Sequence, residues 1–512
     1  MLVKVFGSAI HGVDATTITV EVSVDKGIKF FLVGLPDSAV KESQQRVRSA
    51  LAYCGLKMPR QQITVNMAPA DIRKEGSAYD LPMAIGILAA SDQLKSDTLE
   101  KCVIMGELSL DGSLQPITGA LPMAIQAVEE EFESIILPMS NAKEAAIVEG
   151  ISIYGARNLE EVVRHFNDGE SLPLIVTNPK AAFEQAYQNS NVDFSEVKGQ
   201  DNVKRALEIA AAGGHNVILI GPPGAGKSML AKRMATILPP MSMEEALETT
   251  KIHSVAGILP RGQALVAHRP FRSPHHSVSN AALVGGGSYP QPGEISLSHH
   301  GILFLDELPE FQRSVLEVMR QPMEDREVTI SRAKHTVTYP SSFMLFASMN
   351  PCPCGYHNHP SRECTCPPGA VDRYLNKISG PLLDRIDLHV EVTPVKFKEI
   401  SNDSPAEKSA SVRERVLNAR LIQSERFIHQ HKIHCNAEMG SKLLRSVCQL
   451  DDQSRTMLET AMKRMNLSAR AYDRILKVAR TIADLGKSEK VEASHLAEAI
   501  QYRSLDRSDW GV

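Results

Sequence analysis

A chain of 512 residues with 43% hydrophobic side chains is long enough for about three domains and apolar enough to give each a core. A formal net charge of −4, from 56 basic and 60 acidic residues, argues against a broadly basic surface that coats nucleic acid and allows only a basic patch confined to a channel. Eight cysteines are too few for a disulfide scaffold, no uncharged apolar run approaches the roughly 20 residues that span a bilayer, and the start Met1-Leu-Val-Lys-Val-Phe-Gly lacks a signal-peptide pattern, so a cytoplasmic protein away from membranes is expected.

Along the chain, Thr17–Val22 and Phe30–Val33 read as strands, Asp37–Tyr53 as a helix, Ile63–Asn66 as a strand and Asp80–Ser91 as an apolar helix. This alternation predicts an α/β domain over residues 1–165 that holds no phosphate loop. Residues 166–190 are polar and turn-rich, which predicts a linker. A second α/β domain, the nucleotide-binding one, is predicted over 191–397. After the polar stretch Ser401-Asn-Asp-Ser-Pro405, residues 405–505 carry helical periodicity broken at Gly440 and Gly486, a pattern that predicts a helical lid.

The second domain opens with the apolar run Val217–Ile220, followed by the spacing G-x-x-x-x-G-K-S. Gly221, Gly224 and Gly226, with Pro222, Pro223 and Ala225 between them, let the backbone curl so that successive N–H groups converge on phosphate oxygens. Lys227 adds a point charge, and Ser228 offers a hydroxyl to Mg²⁺. ATP and Mg²⁺ are therefore the expected cofactors. Farther on, the apolar strand Gly301–Leu305 ends in Asp306 and Glu307, the pattern in which the first acid orients Mg²⁺ and the second polarises the attacking water. Hydrolysis is the expected outcome.

Between Lys227 and Asp306 the stretch Ile252–Tyr289, rich in Gly, His and Pro, reads as an insertion. Glu327–Tyr339 contains two period-2 segments around Ala333-Lys-His335 and predicts a β-hairpin leading into the apolar strand Phe343–Asn350. From Val328 to Tyr339 that hairpin carries Arg332, Lys334 and His335 and no acid, a composition that fits contact with nucleic-acid phosphates or a solvated turn. Four of the cysteines crowd together as Cys352, Cys354, Cys364 and Cys366. They leave two readings open, a tetrahedral Zn²⁺ site or four reduced thiols in a loop. Cys54, Cys102, Cys435 and Cys448 are scattered and read as core fillers.

The phosphate loop, Asp306-Glu307, the hairpin before Asn350 and Ser379-Gly-Pro-Leu-Leu-Asp-Arg-Ile-Asp387 together resemble an AAA+ ATPase of the clade that contains magnesium-chelatase motor subunits and MCM helicases. More closely, Phe31–Ser43, Arg269-Pro-Phe-Arg-Ser-Pro-His-His276 and Asn350-Pro-Cys-Pro-Cys-Gly355 resemble the bacterial ComM/YifB competence family, a likeness that covers essentially the whole chain. The resemblance implies a homo-hexameric ring ATPase acting on single-stranded or branched DNA, a helicase driving branch migration during natural transformation. It also implies a sensor role for Asn350, an arginine finger offered to the neighbouring subunit at Arg385, and a lid sensor at Arg470, with Arg474 as its competitor. The rival within the clade is a magnesium-chelatase-type motor that remodels a protein partner, although the chain lacks a D-x-S-x-S metal-adhesion motif.

Gly106–Gly112 and Arg73–Ser77 resemble the Lon-type protease fold, which is the expectation for the N-terminal domain. The chemistry does not follow it. Ser77 directly follows Gly76, Ala78 stands where the nucleophile is expected, and Pro122 stands where the lysine is expected, so no Ser-Lys dyad is predicted.

Overall fold

The computed structural model describes residues 2–503 apart from 75, 96, 182, 184–191, 261–262, 288, 333–335, 360, 396–405 and 431–432. These form two compact units, both mixed α/β. One is drawn from Met1–Gln188, Ser242–Ala267 and Ala333–Tyr339, the other from Asn189–Met241, His268–Arg332 and Pro340–Val512. No helix of the described residues is long and apolar enough to cross a membrane.

The first unit is built on a seven-stranded sheet in the order Phe30–Val33, Gln62–Ala68, Asp14–Asp25, Leu2–His11, Cys102–Ile104, Ser134–Pro138, Ser152–Ala156. Leu2–His11 and Asp14–Asp25 pair antiparallel from Leu2↔Ser23 to His11↔Asp14, turning at Gly12, whose φ of +67° suits glycine. Asp37 starts the helix Ser38–Tyr53 by accepting the Val40 N–H at 2.7 Å. The helix Asp80–Ala90 is buried on every side, which the apolar run after Asp80 requires.

The helix Met243–Val255 belongs to this unit, although its sequence lies inside the nucleotide-binding region. A capping box between Ser242 and Glu245 opens it. At its other end Ser254 bonds the buried carboxylate of Glu144, which also accepts the Leu121 N–H at 3.1 Å. Burial pushes the Glu144 carboxyl above its usual range. In the stretch that resembles the Lon fold, Ser77 pairs with Glu107, and the buried Lys74 donates to the Pro69 carbonyl.

The second unit holds a five-stranded parallel sheet in the order Phe271–Arg272, Ile302–Leu305, Met344–Met349, Val217–Ile220, Leu388–Glu391. Its central strands are buried on both faces, which is why they read as continuous apolar runs and not as alternations. The helices Asp201–Gly213 and Lys227–Ile237 share its hydrophobic core with Ser409–Arg426 and Ala469–Leu485. In the helical region Gly440 caps the start of Ser441–Val447 and Gly486 the end of Ala469–Leu485. Arg426 meets the buried Asp484 at 2.5 Å, with Asn436 and Arg480 completing that carboxylate's partners.

Candidate functional site

The parallel sheet delivers three chain ends to one place. Val217–Ile220 runs in register with Met344–Met349 on one side and Leu388–Glu391 on the other, so the phosphate loop, Asn350 and the peptide after Glu391 all emerge at the carboxyl edge. Gly224 and Gly226 adopt φ of +78° and +85°, left-handed conformations that turn the loop and set its backbone amides at the start of Lys227–Ile237.

Within this loop Lys227 Nζ donates to the Gly221 carbonyl at 2.7 Å, the Pro222 carbonyl at 3.0 Å and Asn350 Oδ1 at 3.0 Å. Burial pulls the ammonium below the usual lysine range, opposed by the nearby Asp306 and Glu307. Asp306 accepts from Ser228 Oγ at 2.7 Å and from Ser348 Oγ, so the hydroxyl and the carboxylate expected to hold Mg²⁺ already touch. Glu307 sits at φ of +54°, and its side chain is 57% exposed, with His276 Nδ1 3.9 Å from its carboxylate. These contacts bring Lys227 to Asn350 and Ser228 to Asp306 at the carboxyl edge, with Glu307 next to Asp306 in the chain.

Three expected residues lie differently from a ready site. Arg385 is 6% exposed, its guanidinium 2.5 Å from Glu324 and donating to the Pro381 carbonyl at 2.6 Å. Arg474 is 3.0 Å from the buried Asp387, whereas Arg470 is exposed on the first turn of Ala469–Leu485. Against the cost of burial, Arg474 and His215 hold the Asp387 carboxyl far below the usual range. Asp387 also accepts the Asn216 N–H at 2.9 Å, while Asn216 Oδ1 accepts from Leu345 N at 2.8 Å, which ties the Arg385-Ile-Asp387 turn to the sheet.

The hairpin forms as the alternation demands. Val328, Ile330, Val337 and Tyr339 are buried and alternate with exposed residues along Glu327–Ser331 and Thr336–Pro340, the last of which is half-buried, and the two segments pair as a two-stranded sheet. Arg332 is exposed; Lys334 and His335 lie outside the described residues.

The four cysteines of Cys352–Cys366 converge, with all four Sγ atoms within 4.8 Å of one another. Cys352 Sγ is 3.3 Å from that of Cys354 and 3.7 Å from that of Cys364, and the last two are 3.5 Å apart. A tetrahedral zinc with Zn–S bonds of about 2.3 Å sets an edge of about 3.8 Å, and these three spacings fall at or up to about 0.5 Å below it. Burial opposes ionisation of Cys354, yet the Tyr356 N–H and the Cys352 thiol bring it down to about 5, while burial and the neighbouring thiols push Cys366 up to about 12.

Sequence reasoning passed over His276, Ser348 and Gln200. Gln200 Nε2 donates to Ala225 O at 3.0 Å and Thr393 O at 3.2 Å, clasping the phosphate loop from a left-handed backbone position at φ of +57°. A polar residue next to glycine just before a helix was the available signal.

Residues 193–400 match the family described as magnesium chelatase, subunit ChlI, residues 20–141 match subunit ChlI of Mg-chelatase, and residues 406–503 match the C-terminal part of that subunit. The chain is 46% identical to the competence protein ComM of Haemophilus influenzae over 99% of its own length and 98% of that protein's. It is 44% identical to YifB of Escherichia coli over 97% of its length and 96% of the relative's. Its likeness to the magnesium-chelatase 67 kDa subunit of Chlorobaculum parvum is 26%, over 40% of this chain and 27% of that subunit.

Proposed function

The chain belongs to the ComM/YifB family of magnesium-chelatase-like AAA+ proteins, and on that premise we propose that it is a hexameric ATP-driven DNA motor, a helicase that promotes branch migration during natural transformation or recombination. The observation that carries this reading is the likeness, along nearly its whole length, to a protein named for competence, where the chelatase subunit matches only a part. Membership implies ATP and Mg²⁺. Gly221–Ser228 would cradle the phosphates, Ser228 and Asp306 would hold Mg²⁺, Glu307 would activate water and Asn350 would position it. Arg470 is the proposed γ-phosphate contact from the lid, since Arg474 is engaged by Asp387.

ATP turnover measured with single-stranded, duplex and forked DNA tests the reading. Stimulation by one of these supports it. A rate that no DNA changes, but that a protein partner raises, favours the chelatase-type motor.

Arg332, Lys334 and His335 are the proposed DNA contacts. The strand Thr336–Pro340 leads within a few residues into Met344–Met349, which ends at Asn350, so the hairpin and the proposed sensor are close neighbours along the chain. Lys334→Ala is expected to lower DNA-stimulated ATPase and unwinding, leave basal hydrolysis intact, and reduce the salt dependence of DNA binding by about one phosphate contact per engaged subunit. Unwinding at the wild-type rate would remove the hairpin from the mechanism.

The cysteine cage is proposed to hold zinc, a reading supported by its dimensions. Metal analysis of protein purified without chelators should find about one zinc per chain. Folded, active protein free of metal would leave these cysteines as loop residues.

A further inference from the structure

The cysteine cage sits against the phosphate loop. Its first ligand, Cys352, is fully buried and separated from Asn350 by Pro351 alone. Gly355 donates its N–H to the Cys352 carbonyl at 3.0 Å in a left-handed conformation, φ +85°. A Cβ added to Gly355 would lie 2.5 Å from Cδ and 2.8 Å from Cγ of Pro223, so the cage backbone rests directly on the phosphate loop. At the start of that loop the Gly221 N–H bonds the Met349 carbonyl at 3.2 Å, so cage, Asn350 and phosphate loop form one mechanical circuit.

Beside this contact lies a cavity of about 90 Å³ whose lining includes Gly221, Pro222, Pro351, Gly355 and His357. Pro222 therefore borders open space, while Gly355 stands against Pro223 like a stop. The stop is only as firm as the turn that carries it. Cys354, Cys364 and Cys366 are half-buried, which gives the segment little core of its own, and a bound metal would supply the order that packing does not.

We propose that the Cys352–Cys366 segment is a positioning element of the nucleotide site: metal held by its four cysteines fixes Gly355 against Pro223 and Asn350 against Lys227, so that metal occupancy sets nucleotide affinity. The inference rests on the zinc reading above. It makes Gly355 a positioning residue, acting on nucleotide through Pro223.

The test measures zinc content and the affinity for a fluorescent ADP analogue on the full chain. Removing zinc with a chelator, then removing the chelator, should weaken nucleotide binding about tenfold, and added Zn²⁺ should restore it. Gly355→Ala should retain zinc and weaken binding by a similar factor, because its Cβ displaces Pro223. Gly369→Ala is the control, since Gly369 is also left-handed, φ +73°, but has open space at its Cβ position; it should bind as wild type does. Adding Pro223→Ala to Gly355→Ala removes the clashing ring carbons and should recover part of the loss. Wild-type protein that carries no zinc defeats the zinc reading and this inference with it. Zinc-bearing protein whose affinity survives metal removal, or a zinc-bearing Gly355→Ala that binds as wild type, defeats this inference alone.

Discussion

Glu307→Gln is expected to bind ATP with nearly unchanged affinity and to hydrolyse it at least about a hundredfold more slowly, the share that a positioned general base supplies. The amide keeps the size and shape of the side chain but cannot take a proton from water. Glu307 is suited to the role because it is 57% exposed at the carboxyl edge of the sheet, where a water can reach it, whereas Asp306 is occupied by two hydroxyls. Lys227→Ala should fail at the earlier step. Its ammonium already holds the Gly221 and Pro222 carbonyls and Asn350, so its removal takes away both the phosphate charge partner and the group that organises the loop. Nucleotide binding by fluorescence and phosphate release, measured on both variants, separate the two steps. Turnover of Glu307→Gln close to wild type would show that another group activates the water.

The phosphate loop is legible in the sequence because its chemistry needs eight contiguous residues, and Asp306-Glu307 because a buried strand must announce itself as an apolar run. The four cysteines are visible for the same reason: the cage closes within one short loop. What escapes is set by long-range contact. The pairing of Asp387 with Arg474 spans most of the lid sequence, and the packing of Gly355 on Pro223 joins two loops that no periodicity connects. The docking of Met243–Val255 beside Glu144 is of this kind; the helix lies mostly before the stretch Ile252–Tyr289 that reads as an insertion, and nothing in its own sequence marks what it leans on. The opening strand Leu2–His11 escapes for a local reason, since Gly7-Ser-Ala9 weakens the β signal that its pairing with Asp14–Asp25 overrides.

Arg385 separates two kinds of role. In the single chain it is held by Glu324 and by the Pro381 carbonyl, so service to a neighbour's ATP requires the guanidinium to leave that pair. The step is affordable because Glu324 is 49% exposed and regains water when released, unlike a carboxylate stranded in a core. In the proposed ring, Arg385→Ala should still bind ATP and should lose about a thousandfold in turnover, within the range for arginine fingers. Mixing Arg385→Ala with Lys227→Ala subunits should then restore part of the rate, because random assembly places an intact phosphate loop against an intact finger at about a quarter of the interfaces. A purely structural ion pair predicts the opposite pattern: a lower melting temperature for Arg385→Ala and no recovery on mixing, since neither subunit would lend the other anything. Recovery without a matching stability defect assigns the arginine to the interface, and normal hydrolysis by Arg385→Ala alone removes it from catalysis.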